Sequence, residues 1–168
     1  MLFRTLSLFA ALFMLTGCGY HIGFIKHPQI DSIAVAPVVN DTAIYNASSD
    51  MRMRMTEVIM QDGTYKLSDQ RNADAILHIT VNNVSFADAG DASVKNENEY
   101  KPEEWNVNVA ASYKLVIPGQ GEPLLTGSTS GNMRFHAGAD IETGRQVAVR
   151  QACYEVARKI IYAVSEGW

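Results

Sequence analysis

Cationic runs, metal-ligand clusters and a second long apolar stretch are all missing from this sequence. Its 14 Lys plus Arg are scattered among 18 Asp plus Glu, for a formal net charge of -4. Such a chain lacks the electrostatic footprint of a protein that tracks a phosphate backbone, so nucleic acid is not an expected partner. With 47% hydrophobic residues it is also too apolar to be a disordered acidic tail. Cysteine is scarce, with Cys18 and Cys153 the only two. A disulfide framework is therefore excluded, and 168 residues suffice to bury a core without one. The four histidines, His21, His27, His78 and His136, show no metal-ligand spacing, and no Asp/Asn/Gly loop has the pattern of a calcium site. Gly127-Ser128-Thr129-Ser130-Gly131 approaches a nucleophile elbow, but its central residue is Thr129 and it lies within an alternating, strand-like stretch. Met51, Met53 and Met55 suggest a soft-metal site, yet on a helix Met53 points away from the other two. No catalytic group, metal or cofactor is expected, and the chain reads as a non-enzyme.

What is present begins at the N-terminus. Arg4 precedes the apolar stretch Leu6 to Leu15, which is too short to span a bilayer, where about 20 residues are needed. Its length and flanks are those of a signal-peptide core, and it is apolar on all sides except at Ser7. Leu15-Thr16-Gly17-Cys18 resembles the bacterial lipobox, which implies cleavage before Cys18, a diacylglyceryl group on its thiol and an acylated new amino terminus. Buried acyl chains contribute about 0.8 kcal/mol per CH2, so several of them anchor a protein durably. The competing reading is an ordinary exported protein with a Cys18–Cys153 disulfide. Cleavage also removes Arg4, which leaves the mature chain more acidic than the precursor. Gly19 after the cysteine favours sorting to an outer membrane, with the domain on its periplasmic face.

Residues 1–17 are thus assigned to a removed signal peptide, 18–32 to a lipidated tether and 33–168 to one domain. Within that domain Ile33 to Val39 is a compact apolar run and reads as a strand, ending at Pro37 or lying at an edge. Ser48-Ser49-Asp50 offers helix caps ahead of Met51, Met55, Val58 and Ile59, and Asp62-Gly63 supplies the stop. Tyr65 and Leu67 form a brief strand or an extended link. Leu77, Ile79 and Val81 alternate with polar residues, and a bulge at Asn82-Asn83 moves the phase to Val84 and Phe86. The clearest strand starts at Trp105, turns at Pro118 to Pro123 and returns through Leu125 to Phe135. Each of these strands has one apolar and one mostly polar face, the mark of an antiparallel sheet covered on one side. The cover is a C-terminal helix with the stripe Val149, Ala152, Cys153, Val156, Ile160 and Val164, which also makes Cys153 a buried thiol. The fold class is α+β: a two-layer sandwich with a mixed sheet of about four strands, in the order β-α-β-β-β-α, and two helices on one face. The first crossover should give a parallel, right-handed pair and the remainder a meander. The polar stretch Asp88 to Glu104 reads either as a solvated loop or as a partner or ligand loop, since connections of this length are uncommon without a role.

Several of these segments together resemble the lipopolysaccharide-assembly lipoproteins, LptE and its relatives. Gly17-Cys18-Gly19-Tyr20-His21 is similar to the family's start, and Ile33-Ala34-Val35-Ala36-Pro37-Val38-Val39-Asn40-Asp41-Thr42 to its first strand, where Val38 replaces the usual Phe. Asp62-Gly63-Thr64-Tyr65-Lys66-Leu67 and Ala73-Asp74-Ala75-Ile76-Leu77 are similar to its helix exit and the approach to its next strand. The resemblance runs from Cys18 to about Leu77, while the later half agrees in pattern only. It implies a two-helix, four-strand sandwich anchored to the outer membrane, which plugs the LptD-type β-barrel and helps deliver lipopolysaccharide to the cell surface. Partners would then be the barrel, lipopolysaccharide and, through the lipid anchor, the membrane. Lys95, Lys101, Lys114 and Arg134 are the cations positioned for contact with lipopolysaccharide phosphates, named from their predicted loop or polar-face positions and from no family motif. The other reading is a free periplasmic ligand-binding or scaffolding lipoprotein with a similar sandwich, marked by a closed apolar pocket beneath the helices.

Overall fold

The computed structural model describes residues 27–89, 104–136 and 140–166. The elements are β1 (Ser32–Val35), β2 (Val39–Asn40), α1 (Ala47–Asp62), β3 (Lys66–Leu67), β4 (Ala75–Asp88), β5 (Glu104–Val116), β6 (Leu125–His136) and α2 (Ile141–Glu166). They form the expected α+β sandwich, with one mixed sheet of order β3-β1-β4-β5-β6 and β2 joined to β4 further along. β1 is parallel to β4, and β4, β5 and β6 are an antiparallel meander. The sheet exceeds four strands because two-residue β2 and β3 add to it. Pro37 breaks the first apolar run, and the chain resumes pairing with β4 at Val39.

The bulge falls where the sequence places it. Val81 pairs with Ala111 and Asn83 with Ala110, so Asn82 has no counterpart and the core side switches from Val81 to Val84. On that side Leu77, Ile79 and Val81 of β4 and Val107, Val109 and Leu115 of β5 are fully buried. α1 covers them with Met51, Met55 and Ile59, and α2 with Cys153, Val156 and Ile160. Each large apolar side chain so buried contributes about 1.5–3 kcal/mol relative to exposure. Met53 faces outward, as helical spacing requires.

Both helix starts differ from expectation. α1 begins at Ala47, ahead of Ser48-Ser49-Asp50, and Asn46 at its N-cap makes no side-chain cap bond. The start is set by a turn in which the Ala47 amide donates to the Ile44 carbonyl at 3.1 Å. α2 begins two turns before its apolar stripe, where Asp140 accepts from the amides of Glu142 and Thr143. α1 stops as expected at Gly63, whose φ of 71° is left-handed and whose amide donates to the Ile59 carbonyl.

The sandwich has two unlike ends. At one, the His27 amide donates to the Tyr65 hydroxyl at 3.3 Å, and that hydroxyl donates to the Val164 carbonyl at 3.2 Å. The first described residues, the link after α1 and the last turn of α2 therefore meet there. The pairing of Ile76 with Val116 brings the 117–124 turn to the same end. At the other end lie the exit of β4, the start of β5, the end of β6 and the N-termini of both helices. β4 alone, with 14 residues, separates the two ends by about 45 Å.

Candidate functional site

The two faces of the sheet are chemically opposite. Away from the helices, successive three-strand rungs read Thr80–Ser112–Ser128, Asn83–Ala110–Ser130 and Ser85–Asn108–Asn132. Apart from Ala110 these side chains are short, polar and uncharged, and Asn83, Ser85, Asn108, Ser128, Ser130 and Asn132 are exposed. The period of two in the sequence produces this directly, since each core residue is flanked by residues pointing outward. Charge is confined to the margins of the meander: His78 pairs across from Lys114 at one end, and Arg134 lies 4.0 Å from Glu104 at the other.

Of the four cations named from sequence, Lys114 and Arg134 both fall on this outer face and are exposed. They do not converge. Lys114 is level with Thr126, and Arg134 with Asn106, eight positions along β5 and hence about 27 Å apart. Arg134 is also shared with Glu104, so the two do not make one phosphate site. Lys95 and Lys101 lie outside the described residues, as do Cys18 and the lipobox residues Leu15, Thr16 and Gly17. His78 is on the outer sheet face, and among the described residues no three His, Cys, Asp or Glu side chains are grouped to hold a metal. Cys153 is a buried free thiol whose pKa burial pushes up to about 12, with the nearby Asp50 carboxylate adding to the effect. The Gly127–Gly131 stretch is inside β6, with no strand-to-helix turn. No helix among the described residues is long and apolar enough to cross a membrane.

One cluster escaped the sequence reading. At the end of the sandwich away from His27, the Arg145 guanidinium lies over the rings of Phe86 and Trp105, 5.1 and 5.9 Å from their centroids. Arg145 precedes the apolar stripe of α2, so nothing in the periodicity places it on a helix facing two aromatic residues. The signal available was Phe86 and Trp105 themselves, two large rings on the core face next to the long polar connection.

No protein-family model matches this chain, and no curated protein matches it either. Solved structures do. A DUF330 protein from Xanthomonas campestris superimposes with a TM-score of 0.55 at 12% identity, over 83% of this chain and 89% of that one. A minor lipoprotein from Acinetobacter baumannii gives 0.52 at 10%, over 81% and 93%. The PelC dodecamer from Paraburkholderia phytofirmans gives 0.51 at 12%, over 86% and 94%. This chain has the fold of these proteins. At such identities the likeness is one of fold alone, and it does not single out LptE.

Proposed function

We propose that this chain is a lipid-anchored domain on the periplasmic face of an outer membrane, acting by docking as an LptE-like plug of an LptD-type barrel in lipopolysaccharide transport. The observation that carries the reading is the outer sheet face, three rungs of short uncharged polar side chains beside a tightly packed interior. A water-lined barrel lumen is walled by polar side chains, and the central rungs, which carry no charge, lose little on leaving water if their hydroxyls and amides find partners there. A protein occurring among the fold relatives as a minor lipoprotein fits the anchor read from Leu15 to Cys18.

The reading of a free ligand-binding lipoprotein required a closed apolar pocket beneath the helices. Beneath the helices Met51, Met55, Ile59 and Ile160 are buried core residues, so the two readings are separated by whether a barrel partner is present. Affinity purification of the native lipoprotein after mild detergent extraction tests it. Recovery of a large outer-membrane barrel is expected, and its loss on changing Ser112 and Ser128 to Arg would place the contact on the polar face. Recovery of no barrel at native expression overturns the reading.

A further inference from the structure

The end of the sandwich remote from His27 holds a cavity of about 280 Å3. Ile44, Phe86 and Val149 line it with apolar surface, and Asn46, Asp50, Glu142, Arg145 and Gln146 with polar groups. Arg145 rests on its two aromatic rings. Cation–π contact stabilises it by about 0.5–2 kcal/mol, but its Nε is buried without a hydrogen-bond partner. A buried donor left unpaired costs about 1–3 kcal/mol, and at Nη1 the Glu142 carboxylate is 3.9 Å away, too distant for a hydrogen bond. The donor left for a ligand in the cavity is therefore the outer end of the guanidinium, whose Nη1 Glu142 does not take up.

The charges around it determine what that is. Asp50 is held by Arg150 at 3.4 Å, and Glu142 balances Arg145. An anion would meet two carboxylates and a cation would meet Arg145, whereas an uncharged molecule opposes neither. The amides of Asn46 and Gln146 offer donors and acceptors side by side. Tyr45, which also lines the cavity, is 91% exposed, an aromatic ring in water. Hydroxyls that both donate and accept, together with a C–H face for an aromatic ring, are the chemistry of a sugar. The volume is at the low end for ligand pockets, which span about 300–1,000 Å3, and admits a single ring. We propose that this cavity binds one uncharged sugar ring of a glycan, gripped by Arg145 and stacked on Tyr45. The site does not depend on the barrel reading, because it lies at one end of the sandwich and not on the polar sheet face.

The test uses the full-length lipoprotein in a detergent with no sugar headgroup. Trp168→Phe leaves Trp105, next to Arg145, as the chain's single indole. Its emission is titrated with methyl glucoside, methyl galactoside and N-acetylglucosamine, and in parallel with phosphate, acetate and glycylglycine. A saturable change is expected with at least one sugar, weakened about tenfold by Tyr45→Ala and similarly by Arg145→Lys, which keeps the charge but loses the planar fork. Tyr45 is on the surface, so its variant tests the site with the fold intact, as circular dichroism will verify. No response to any of the sugars, an equal response in both variants, or a response confined to the anions or the dipeptide overturns the proposal.

Discussion

Gly131 and Gly127 lie two rungs apart on the core face of β6 and differ in what a side chain would meet. A Cβ on Gly131 would come within 2.5 Å of the Ala152 carbonyl oxygen and 3.0 Å of the Val156 nitrogen, both backbone atoms of α2. The helix itself would have to lift. Gly131→Ala is expected to cost about 1–3 kcal/mol in urea unfolding, the usual range for overpacking. At Gly127 the obstacle is the Tyr113 ring, 2.5 Å away at its hydroxyl. The end of a side chain yields more readily than a helix backbone, so Gly127→Ala should cost less. Asp74 supplies a prediction in pH. Its carboxylate accepts from the Ser32 hydroxyl at 2.8 Å and from the Asp31 and Ser32 amides, tying the start of β1 to that of β4. The Ser32 hydroxyl first, then these amides, hold its pKa below the ordinary aspartate value. A depressed carboxylate pKa favours the fold while the group is charged, so this contribution is present at neutral pH and fades as pH falls through the folded value. Asp74→Asn should therefore lower stability at neutral pH, with the gap to the parent narrowing as pH falls below the ordinary aspartate value. A gap independent of pH would reject the role assigned to the charge.

At the scale of elements, the sequence was legible wherever period and burial coincide. The β4 bulge, the β5–β6 hairpin and the stripe from Val149 to Val164 follow from alternation and helical spacing alone. The segments it could not show depend on contacts between distant residues. β2 has two residues, too few to carry a period, and exists because β4 offers an open edge, while β3, read as a brief strand or an extended link, is a strand because β1 offers it an edge. The first turns of α2 contain Glu142, Thr143 and Gly144, which show no apolar repeat; they are helical because Asp140 caps them and Gly144 fits against Phe135. Arg145, the central residue of the proposed sugar site, was hidden for the same reason. α2 also makes a prediction as an element. Cys153 is sealed between α1 and the sheet, and its thiol is pushed up to about 12. The native protein should leave Cys153 unlabelled by a thiol-disulfide reagent at neutral pH, and urea should make it reactive in step with unfolding. Prompt labelling in the native state would mean that α2 opens locally.

For the whole molecule, the two unlike ends turn an anchor at Cys18 into an orientation. Nine residue steps separate Cys18 from His27, a reach of about 30 Å at full extension, whereas the sandwich is about 45 Å long along β4. With the anchor proposed at Cys18, the end carrying His27, Tyr65 and the 117–124 turn would be tethered close to the lipid. The opposite end, with the Arg145 cavity and the approach to residues 90–103, can meet the bilayer only if the domain lies on its side. With Cys153 buried and Cys18 acylated as proposed, single introduced cysteines can report the difference. A fluorophore on Gln120→Cys, in the turn at the tethered end, should be quenched by nitroxide-labelled lipids in reconstituted vesicles more strongly than one on Asp88→Cys at the far end. Cys18→Ala should abolish palmitate labelling and, with it, the quenching at both positions. Undiminished label in Cys18→Ala would remove the anchor, whereas equal quenching at both ends would keep the anchor and reject the upright domain. An upright domain would present the polar sheet face sideways along its full length, which is the posture that a barrel wall surrounding it requires.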